Sequence, residues 1–407
     1  MTQRQLAIVL IILTLVGFII GSTYAIYDQE LIKGSTDIYP TWYGAKHFWE
    51  DGLSPYDDRV GEASQQAIYG RPATATEDEV RFVYPLYFIF YFGPLGFLSF
   101  ELAASIFMEI LLLLMGATLA LSLYTLRWLP KPLTLGISIL YTLVSYFSVR
   151  GLLLGQPAFL AFGLHIGAYW AIAHRHDRAA GILLALSTIK PQTGYLIVPL
   201  LLLWAWQNDR RSIVYSFGSM FGALLGVSWI LLPSWFGEWM ERVFHYSSYV
   251  ANFPTTHIIS HLILPEQLGD IAQALLSIFI LVPVAHFWWR AIVLRDSQSL
   301  LWGLMLTMAA SLLISPRVAT TSYVELNPVV YVALMFLEKR RLWGWLSVGT
   351  IAFMVAYWIL HIATVPEEVG REAPIVYVVF PTIIYLWLLV QQSAWKDVDI
   401  LKAAHGN

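Results

Sequence analysis

The sequence predicts an all-α, polytopic membrane protein, and two observations support this prediction. Of the 407 residues, 58% are hydrophobic and only 13% are charged, whereas about a quarter of the residues in soluble proteins are charged. The apolar residues also fall in runs, most of them close to the ~20 residues that a helix needs to cross a bilayer. Thirteen such runs occur, at about 6–26, 83–98, 101–124, 132–149, 152–173, 179–189, 191–206, 212–232, 272–294, 299–315, 322–337, 342–363 and 374–392.

The composition also excludes several classes of function. The net charge of −3 argues against a nucleic-acid partner. The chain contains no cysteine, which excludes disulfides, thiol nucleophiles and Cys-ligated metals. The run at 6–26 is long for a signal-peptide core and follows one early positive charge, Arg4. We therefore expect it to be an uncleaved first membrane helix.

The basic residues predict the topology. Short basic clusters separate many of the runs, and the positive-inside rule places them in the cytoplasm. These clusters are Arg127–Lys131, His174–Arg178, Asp209–Arg211, Arg290–Asp296 and Glu338–Arg341. If all thirteen runs crossed from a cytoplasmic N-terminus, the first two clusters would lie outside.

This conflict disappears if the run at 83–98 does not cross the membrane. It has about 16 residues and contains Pro85 and Pro94, each of which removes a backbone donor. We expect Arg81–Phe100 to form a juxtamembrane or re-entrant element of the first outer loop. About 12 transmembrane helices remain, and both termini lie inside. The predicted outer segments are loops at 27–100 and 233–270 and turns at Arg150–Gln156, Ser187–Gln192, Pro316–Thr321 and Val365–Glu372.

Asp37, in the first outer loop, is the candidate general base. It follows the first apolar run by about ten residues, and a partly desolvated carboxylate can be tuned towards a base. The alternative is a solvated loop acid or a helix cap. Tyr39, Trp42 and Tyr43 follow closely, and such side chains either stack on sugar rings or anchor the chain at the headgroups.

Three cations beside apolar runs are candidates for binding an anion. Arg150, Lys190 and Arg317 would offer guanidinium forks and a point charge to phosphate oxygens. The alternative for each is snorkelling to the headgroups. We predict that they converge on one phosphate. For Glu109, inside an apolar run, protonated packing and an ion pair with Arg150 or Lys190 both remain open.

The histidines of the second long loop give a weaker signal. His245, His257 and His261 lack the tight helical spacing and the carboxylate partner of a zinc-protease motif. We therefore expect satisfied surface histidines, and the sequence predicts no metal site.

Several short motifs occur in a fixed order along about 280 residues. They are Asp37, Tyr43-Gly-Ala, Asp51-Gly-Leu-Ser-Pro-Tyr56-Asp57, Phe82-Val-Tyr-Pro85, Gly93-Pro94-Leu95, Gly155-Gln156, Ala180-Gly181, Ile189-Lys190-Pro191 and Ser315-Pro316. Together they resemble the polyprenol-phosphate-mannose-dependent mannosyltransferases of glycosyltransferase family 87, which have the GT-C fold. The resemblance implies one membrane-embedded domain over 1–407, with a GT-C-like module at 1–271 and C-terminal helices at 272–407.

The resemblance also implies an activity. We expect transfer of mannose or another hexose from a polyprenyl-phosphate donor to a hydroxyl of a glycolipid or glycan at the extracytoplasmic face of the cell membrane. Asp37 would be the base of an inverting displacement that needs no metal or cofactor. Lys190, Arg317 and Arg150 would bind the donor phosphate. The residues expected to bind sugar or acceptor are Tyr39, Trp42, Tyr43, Tyr84, Gln156 and Glu325.

One departure from the family pattern and two rival functions remain. After Ser315-Pro316 the family commonly has a Trp and one or two His, whereas this chain continues to Tyr323 and Glu325. The role of that His, and with it the sugar, is left open, and Glu325 is the alternative base. A secondary transporter would also suit twelve helices, but such folds usually have internal repeats. An O-antigen ligase or polymerase would share the carrier-lipid chemistry.

Overall fold

The computed structural model describes residues 22–23, 37–74, 77–249, 253–364 and 372–391. Within these ranges the secondary structure is helical, and no strand occurs. The first helices are α1 (Ile38–Asp51), α2 (Asp58–Tyr69), α3 (Phe88–Gly96), α4 (Phe100–Thr125), α5 (Pro132–Val144), α6 (Tyr146–Leu154) and α7 (Ala158–Ala173). The middle of the chain forms α8 (Asp177–Leu186), a 3₁₀ turn (Ser187–Ile189), α9 (Pro191–Gly194), α10 (Ile197–Gln207), α11 (Arg211–Leu231), α12 (Trp235–Tyr249) and α13 (Thr255–Ile263).

The C-terminal part contains the longest of the described helices. Its elements are α14 (Glu266–Ile292), α15 (Ser297–Ile314), a 3₁₀ helix (Thr320–Leu326), α16 (Asn327–Lys339), a π-helical turn (Trp345–Gly349), α17 (Thr350–Thr364) and α18 (Pro374–Val390). Helices α14 and α15 pack against each other, and α15 also packs on α18.

Five of the described helices are long and apolar enough to cross a bilayer. They are α4, α11, α14, α15 and the continuous segment Trp345–Thr364. The pair α5 and α6, bent by 41°, adds a sixth if it counts as one span. The protein is therefore an all-α membrane protein. The predicted span at 6–26 lies outside the described residues except for 22–23, as does most of the predicted turn at Val365–Glu372.

Several predicted spans are broken helices. The runs at 132–149 and 152–173 become three helices, because the chain bends at Ser145 and then turns at Gly155, whose φ is +66°. The prediction that Arg150 lies on a turn was wrong, since Arg150 is inside α6. The run at 322–337 begins as a 3₁₀ helix and becomes α-helical only at Asn327.

The segment between α1 and α4 is built of short helices. Helix α3 has nine residues, about 14 Å, which is too short for a ~30 Å hydrocarbon core. This agrees with the prediction that 83–98 does not cross. The Trp42 indole donates to the Leu98 carbonyl at 3.1 Å, and the Tyr91 hydroxyl donates to the Leu186 carbonyl at 2.9 Å. These bonds hold α1 against the start of α4, and α3 against the end of α8.

The predicted loop at 233–270 contains two short helices. Helix α12 packs on the chain between α2 and α3, where the Trp239 indole donates to the Val83 carbonyl at 3.1 Å. Helix α13 lies against α14, α15 and α18. It places His257 and His261 one turn apart, and α14 supplies Asp270 beside them. His257 and His261 therefore have a helical spacing and a carboxylate partner, so the prediction that they lack both was wrong.

Helices α8 and α11 pack unusually closely, and Gly181 allows it. A Cβ atom at residue 181 would lie 2.2 Å from the Ile213 carbonyl oxygen and 2.1 Å from the Ser216 hydroxyl. Any side chain there would push α11 away. Because α8 leads directly into the 3₁₀ turn before Lys190, this contact helps to set the position of Lys190.

Candidate active site

Three polar side chains from distant parts of the sequence form a chain of hydrogen bonds. The Gln156 amide Nε2 donates to Asp37 Oδ2, and Lys190 Nζ donates to Gln156 Oε1 at 3.0 Å. Because an ammonium can only donate, it faces the amide oxygen and thereby turns the amide N–H towards Asp37. Gln156 and Lys190 are buried, whereas Asp37 keeps partial exposure. The carboxylate is thus held by the Gln156 amide, which Lys190 fixes in turn.

The backbone explains why these residues meet. Asp37 immediately precedes α1, and Gln156 immediately follows Gly155, the left-handed residue that ends α6. A Cβ atom at residue 155 would lie 2.1 Å from Ile38 Cγ1, so only glycine lets the two chain segments approach. Lys190 lies between the 3₁₀ turn and α9, where Pro191 begins a new helix. All three residues therefore sit at helix ends, where backbone direction changes.

The surroundings of Asp37 make it a stronger base than an exposed aspartate. Burial, followed by the negative charge of Asp78, raises the pKa of Asp37 to about 6. Lys190, the Gln156 amide and Arg150 act in the opposite direction. A carboxylate with a pKa near 6 is ionised at neutral pH and still accepts a proton readily.

Beyond Lys190 lies a second buried polar pair. His165 Nδ1, on α7, is 3.2 Å from Glu325 Oε2, and both side chains are almost fully buried. The charge of Glu325 also acts on Lys190. Glu325 therefore lies close enough to Lys190 for its charge to act on the ammonium. The sequence analysis missed His165, although it is the one Asp, Glu, His, Lys or Arg residue of the run at 152–173. An ionisable residue within an apolar run is the signal that marks functional groups in membranes.

Arg150 belongs to a neighbouring polar cluster. Its Nε lies 3.5 Å from Glu372 Oε1. Glu372 also accepts hydrogen bonds from Thr320 Oγ1 at 2.6 Å, from the Tyr377 hydroxyl at 2.7 Å and from the Tyr146 hydroxyl. Glu372 was also missed, and its position directly before the last apolar run was the available signal.

Arg317 and Glu109 have other surroundings. The Arg317 guanidinium carbon lies 4.4 Å from the centroid of the Phe253 ring. Glu109 accepts a hydrogen bond from the Ser22 hydroxyl. Of the three predicted phosphate-binding cations, Lys190 and Arg150 are thus the two whose charges act on Asp37.

The aromatic residues divide into two groups. Tyr39 and Trp42 pack on Phe100, with ring centroids 4.8 and 5.4 Å away, and Tyr43 contacts the ring of His47 at 4.2 Å. These contacts match an anchoring role on α1. Tyr84 is different, because the negative charge of Asp37 adds to burial in raising the pKa of Tyr84.

The fold and this site define a class of protein. It is a multi-helix membrane protein in which a carboxylate of raised pKa lies near two cationic side chains. The model of glycosyltransferase family 87 matches residues 82–316, and the chain belongs to this family. The resemblance inferred from the motifs is therefore confirmed. Family membership favours glycosyl transfer over the transporter and ligase alternatives. No curated protein and no solved structure matches the chain.

The matched segment contains Arg150, Gln156 and Lys190 but begins after Asp37 and ends before Arg317. The case for Asp37 therefore rests on its hydrogen bond to Gln156 and on its electrostatic environment.

Proposed function

We propose that this glycosyltransferase takes a hexose, mannose or a relative of it, from a polyprenyl-phosphate donor. The acceptor is a hydroxyl of a glycolipid or glycan, and residues 1–407 act as one catalytic domain. The observation that carries the proposal is the chain from Asp37 through Gln156 to Lys190. In this chain a single side-chain amide bridges the Asp37 carboxylate and the Lys190 ammonium. Transfer from a phosphate donor calls for such a pair, with a base for the acceptor and a cation for the phosphate.

The proposed reaction is a single displacement. Asp37 accepts the proton of the acceptor hydroxyl while that oxygen forms a bond to the anomeric carbon. The bond from the anomeric carbon to the phosphate oxygen breaks, and its electron pair leaves with polyprenyl phosphate. The attack inverts the anomeric centre. Because the leaving group is a stabilised anion, cations at the phosphate can replace a general acid.

Lys190 and Arg150 are the proposed phosphate ligands, with Arg317 as a further candidate. Arg150 has five N–H donors, and among the described residues its hydrogen bond is one of 3.5 Å to the Tyr146 hydroxyl. Its Nε also faces Glu372, so the proposal assigns the remaining guanidinium N–H groups to the phosphate oxygens. Lys190 is buried and bonded to a neutral amide. A buried ammonium in this setting gains strongly from an incoming anion.

The remaining predicted residues have supporting roles in this proposal. Gln156 orients Asp37 by donating a hydrogen bond to its carboxylate. Lys190 fixes the orientation of Gln156 by donating to the amide oxygen. Tyr84, close enough for the charge of Asp37 to act on it, is assigned to the sugar or acceptor. Tyr39, Trp42 and Tyr43 border the acceptor side along α1. Glu325, paired with His165, supplies a negative charge that acts on Lys190.

The direct test uses purified protein and synthetic polyprenyl-phosphate sugars. Product formation would be followed by mass spectrometry with mannose, glucose and galactose as the transferred sugar and a panel of glycolipid acceptors. We expect transfer with at least one of these donors and an inverted linkage in the product. Hydrolysis alone, or a retained configuration, would contradict the proposed displacement.

The proposed pKa of the base predicts a pH profile. Because Asp37 must be ionised to act, kcat/KM should rise with pH and level off above about 6. The substitution Gln156→Met removes the hydrogen bond from the side-chain amide to Asp37. It should therefore raise the pKa of Asp37 and move the rising part of the pH profile to higher pH. Removing a negative charge in Asp78→Asn should move it to lower pH. Shifts in the same direction for both variants would contradict the assignment.

The proposed active site faces the extracytoplasmic side of the cell membrane, which requires Arg127–Lys131 to face the cytoplasm. Since the chain has no cysteine, single cysteines can be placed at will. Leu129→Cys, at an exposed position, should resist an impermeant maleimide on intact cells, whereas Phe244→Cys should react. Labelling of both residues after permeabilisation is the control. Labelling of residue 129 on intact cells would overturn the topology.

A further inference from the structure

Helices α13 and α14 bring together three potential metal ligands outside the proposed active site. His257 and His261 lie one turn apart on α13, and their ring centroids are 3.9 Å apart. Asp270 lies near the start of α14, with its Oδ1 3.2 Å from His261 Nε2. One ligand atom from each residue can be chosen so that all three lie within 4.8 Å of one another. Two helices thus meet with their nitrogen and oxygen donors converging.

The hydrogen bonds of His261 determine which of its nitrogens carries a proton. Its Nδ1 lies 3.0 Å from the His257 carbonyl oxygen. A carbonyl can only accept, so Nδ1 carries the proton and Nε2 of the neutral ring carries a lone pair. This lone pair faces Asp270 Oδ1, which is also an acceptor. Two acceptors at 3.2 Å repel each other unless a positive charge lies between them.

A proton or a metal ion can supply that charge, and the spacing of the three ligand atoms fits a metal ion. Two ligands, each about 2.05 Å from a tetrahedral Zn²⁺, lie about 3.3 Å apart, which is close to the observed spacing of Nε2 and Oδ1. The pair therefore already has the separation of two zinc ligands.

The outer hydrogen bonds also match a metal site. Metal-binding histidines almost always donate their second ring N–H to an oxygen. His261 does so to the His257 carbonyl, and His257 Nδ1 lies 2.9 Å from Gln273 Oε1. Gly269 makes room for the arrangement, since a Cβ atom there would lie 2.7 Å from the His261 ring. Both rings are thus held with Nε2 available as a ligand.

We propose that His257, His261 and Asp270 bind a divalent transition-metal ion, with Zn²⁺ as the expected occupant. Asp270 is exposed, so a fourth position remains open to water or an anion. The ion would clamp α13 to α14. Phe253 stacks on His257 at 4.5 Å and carries Arg317 above it at 4.4 Å. The metal would therefore also fix the position of the Phe253 ring that the Arg317 guanidinium contacts.

The test measures metal binding and uses full-length protein in detergent without a polyhistidine tag. After chelation and dialysis, the protein is titrated with Zn²⁺ and, separately, with Co²⁺, whose visible absorption reports tetrahedral nitrogen and oxygen ligands. We expect about one ion per chain. His261→Gln and Asp270→Asn should weaken binding by more than about 100-fold, and Gln273→Ala by about 10–100-fold.

His47→Ala is the matched control, because His47, Glu50 and Asp51 form a second possible cluster on α1. Wild-type affinity in this variant is expected. The proposal is overturned if the wild-type protein binds no transition metal, if His261→Gln binds as tightly as wild type, or if His47→Ala alone abolishes binding. Melting of each variant in chelator, compared with wild type in chelator, identifies misfolding. The readout is metal binding, so its failure leaves the proposed glycosyl transfer untouched.

Discussion

Asp37→Asn is expected to lower turnover by about 10²–10⁴-fold while donor binding stays nearly unchanged. The asparagine keeps the shape of the side chain and still accepts a hydrogen bond from Gln156 through its own carbonyl oxygen. It cannot accept the proton of the acceptor hydroxyl. The loss should therefore appear in kcat with the natural donor and acceptor, measured under saturating conditions.

Asp51→Asn provides the matched control for Asp37→Asn. Asp51 belongs to the same helix segment, is exposed and contacts His47. Its turnover should stay near that of wild type. Near wild-type turnover in Asp37→Asn would show that the base lies elsewhere, and Glu325→Gln would then be the next variant to measure.

Lys190→Ala is expected to weaken donor binding by roughly 10–150-fold, or on the order of 1.5–3 kcal/mol, because it removes one charge-assisted bond to a desolvated phosphate. The substitution also removes the donor to Gln156 Oε1, so Gln156 loses the contact that orients its amide. Equilibrium binding of a polyprenyl-phosphate sugar to purified protein measures the effect.

Two further variants make this measurement specific. Lys190→Met keeps the length of the side chain and removes its charge, so it should bind the donor as weakly as the alanine variant. Lys339→Ala removes an exposed lysine at the end of α16 and should leave binding unchanged. If Lys190→Met and wild type bind the donor equally well and melt alike, the phosphate site lies elsewhere.

The class of protein follows from the sequence, because bilayer solvation demands it. A chain with 58% hydrophobic residues in long runs has few folds available other than packed helices in lipid. The prediction that 83–98 does not cross the membrane also rests on local properties, namely short length and two prolines, and the nine-residue length of α3 agrees with it. The family was predictable from the order of short motifs, which requires no coordinates.

The helix breaks were harder to predict because they depend on packing. Hydropathy separates the chain here into two apolar runs, at 132–149 and 152–173. In the structure α6 covers the end of the first run and the start of the second, and α7 begins only after Gly155 and Gln156. The sequence showed a Gly-Gln pair there. Gly155 is needed because a Cβ atom at this position would lie 2.1 Å from the Ile38 side chain. This contact joins two segments more than a hundred residues apart in the sequence, so hydropathy cannot reveal it.

The sequence by itself determined which residue types could serve the proposed chemistry, namely Asp37, Lys190, Arg150 and Gln156. Only the tertiary structure decided how they are paired. It linked Asp37 to Lys190 through the Gln156 amide and joined Arg150 to Glu372. It also seated Glu325 against His165. The physical reason is that a buried polar group needs a partner, and helix packing, which hydropathy does not encode, decides which partner comes within reach.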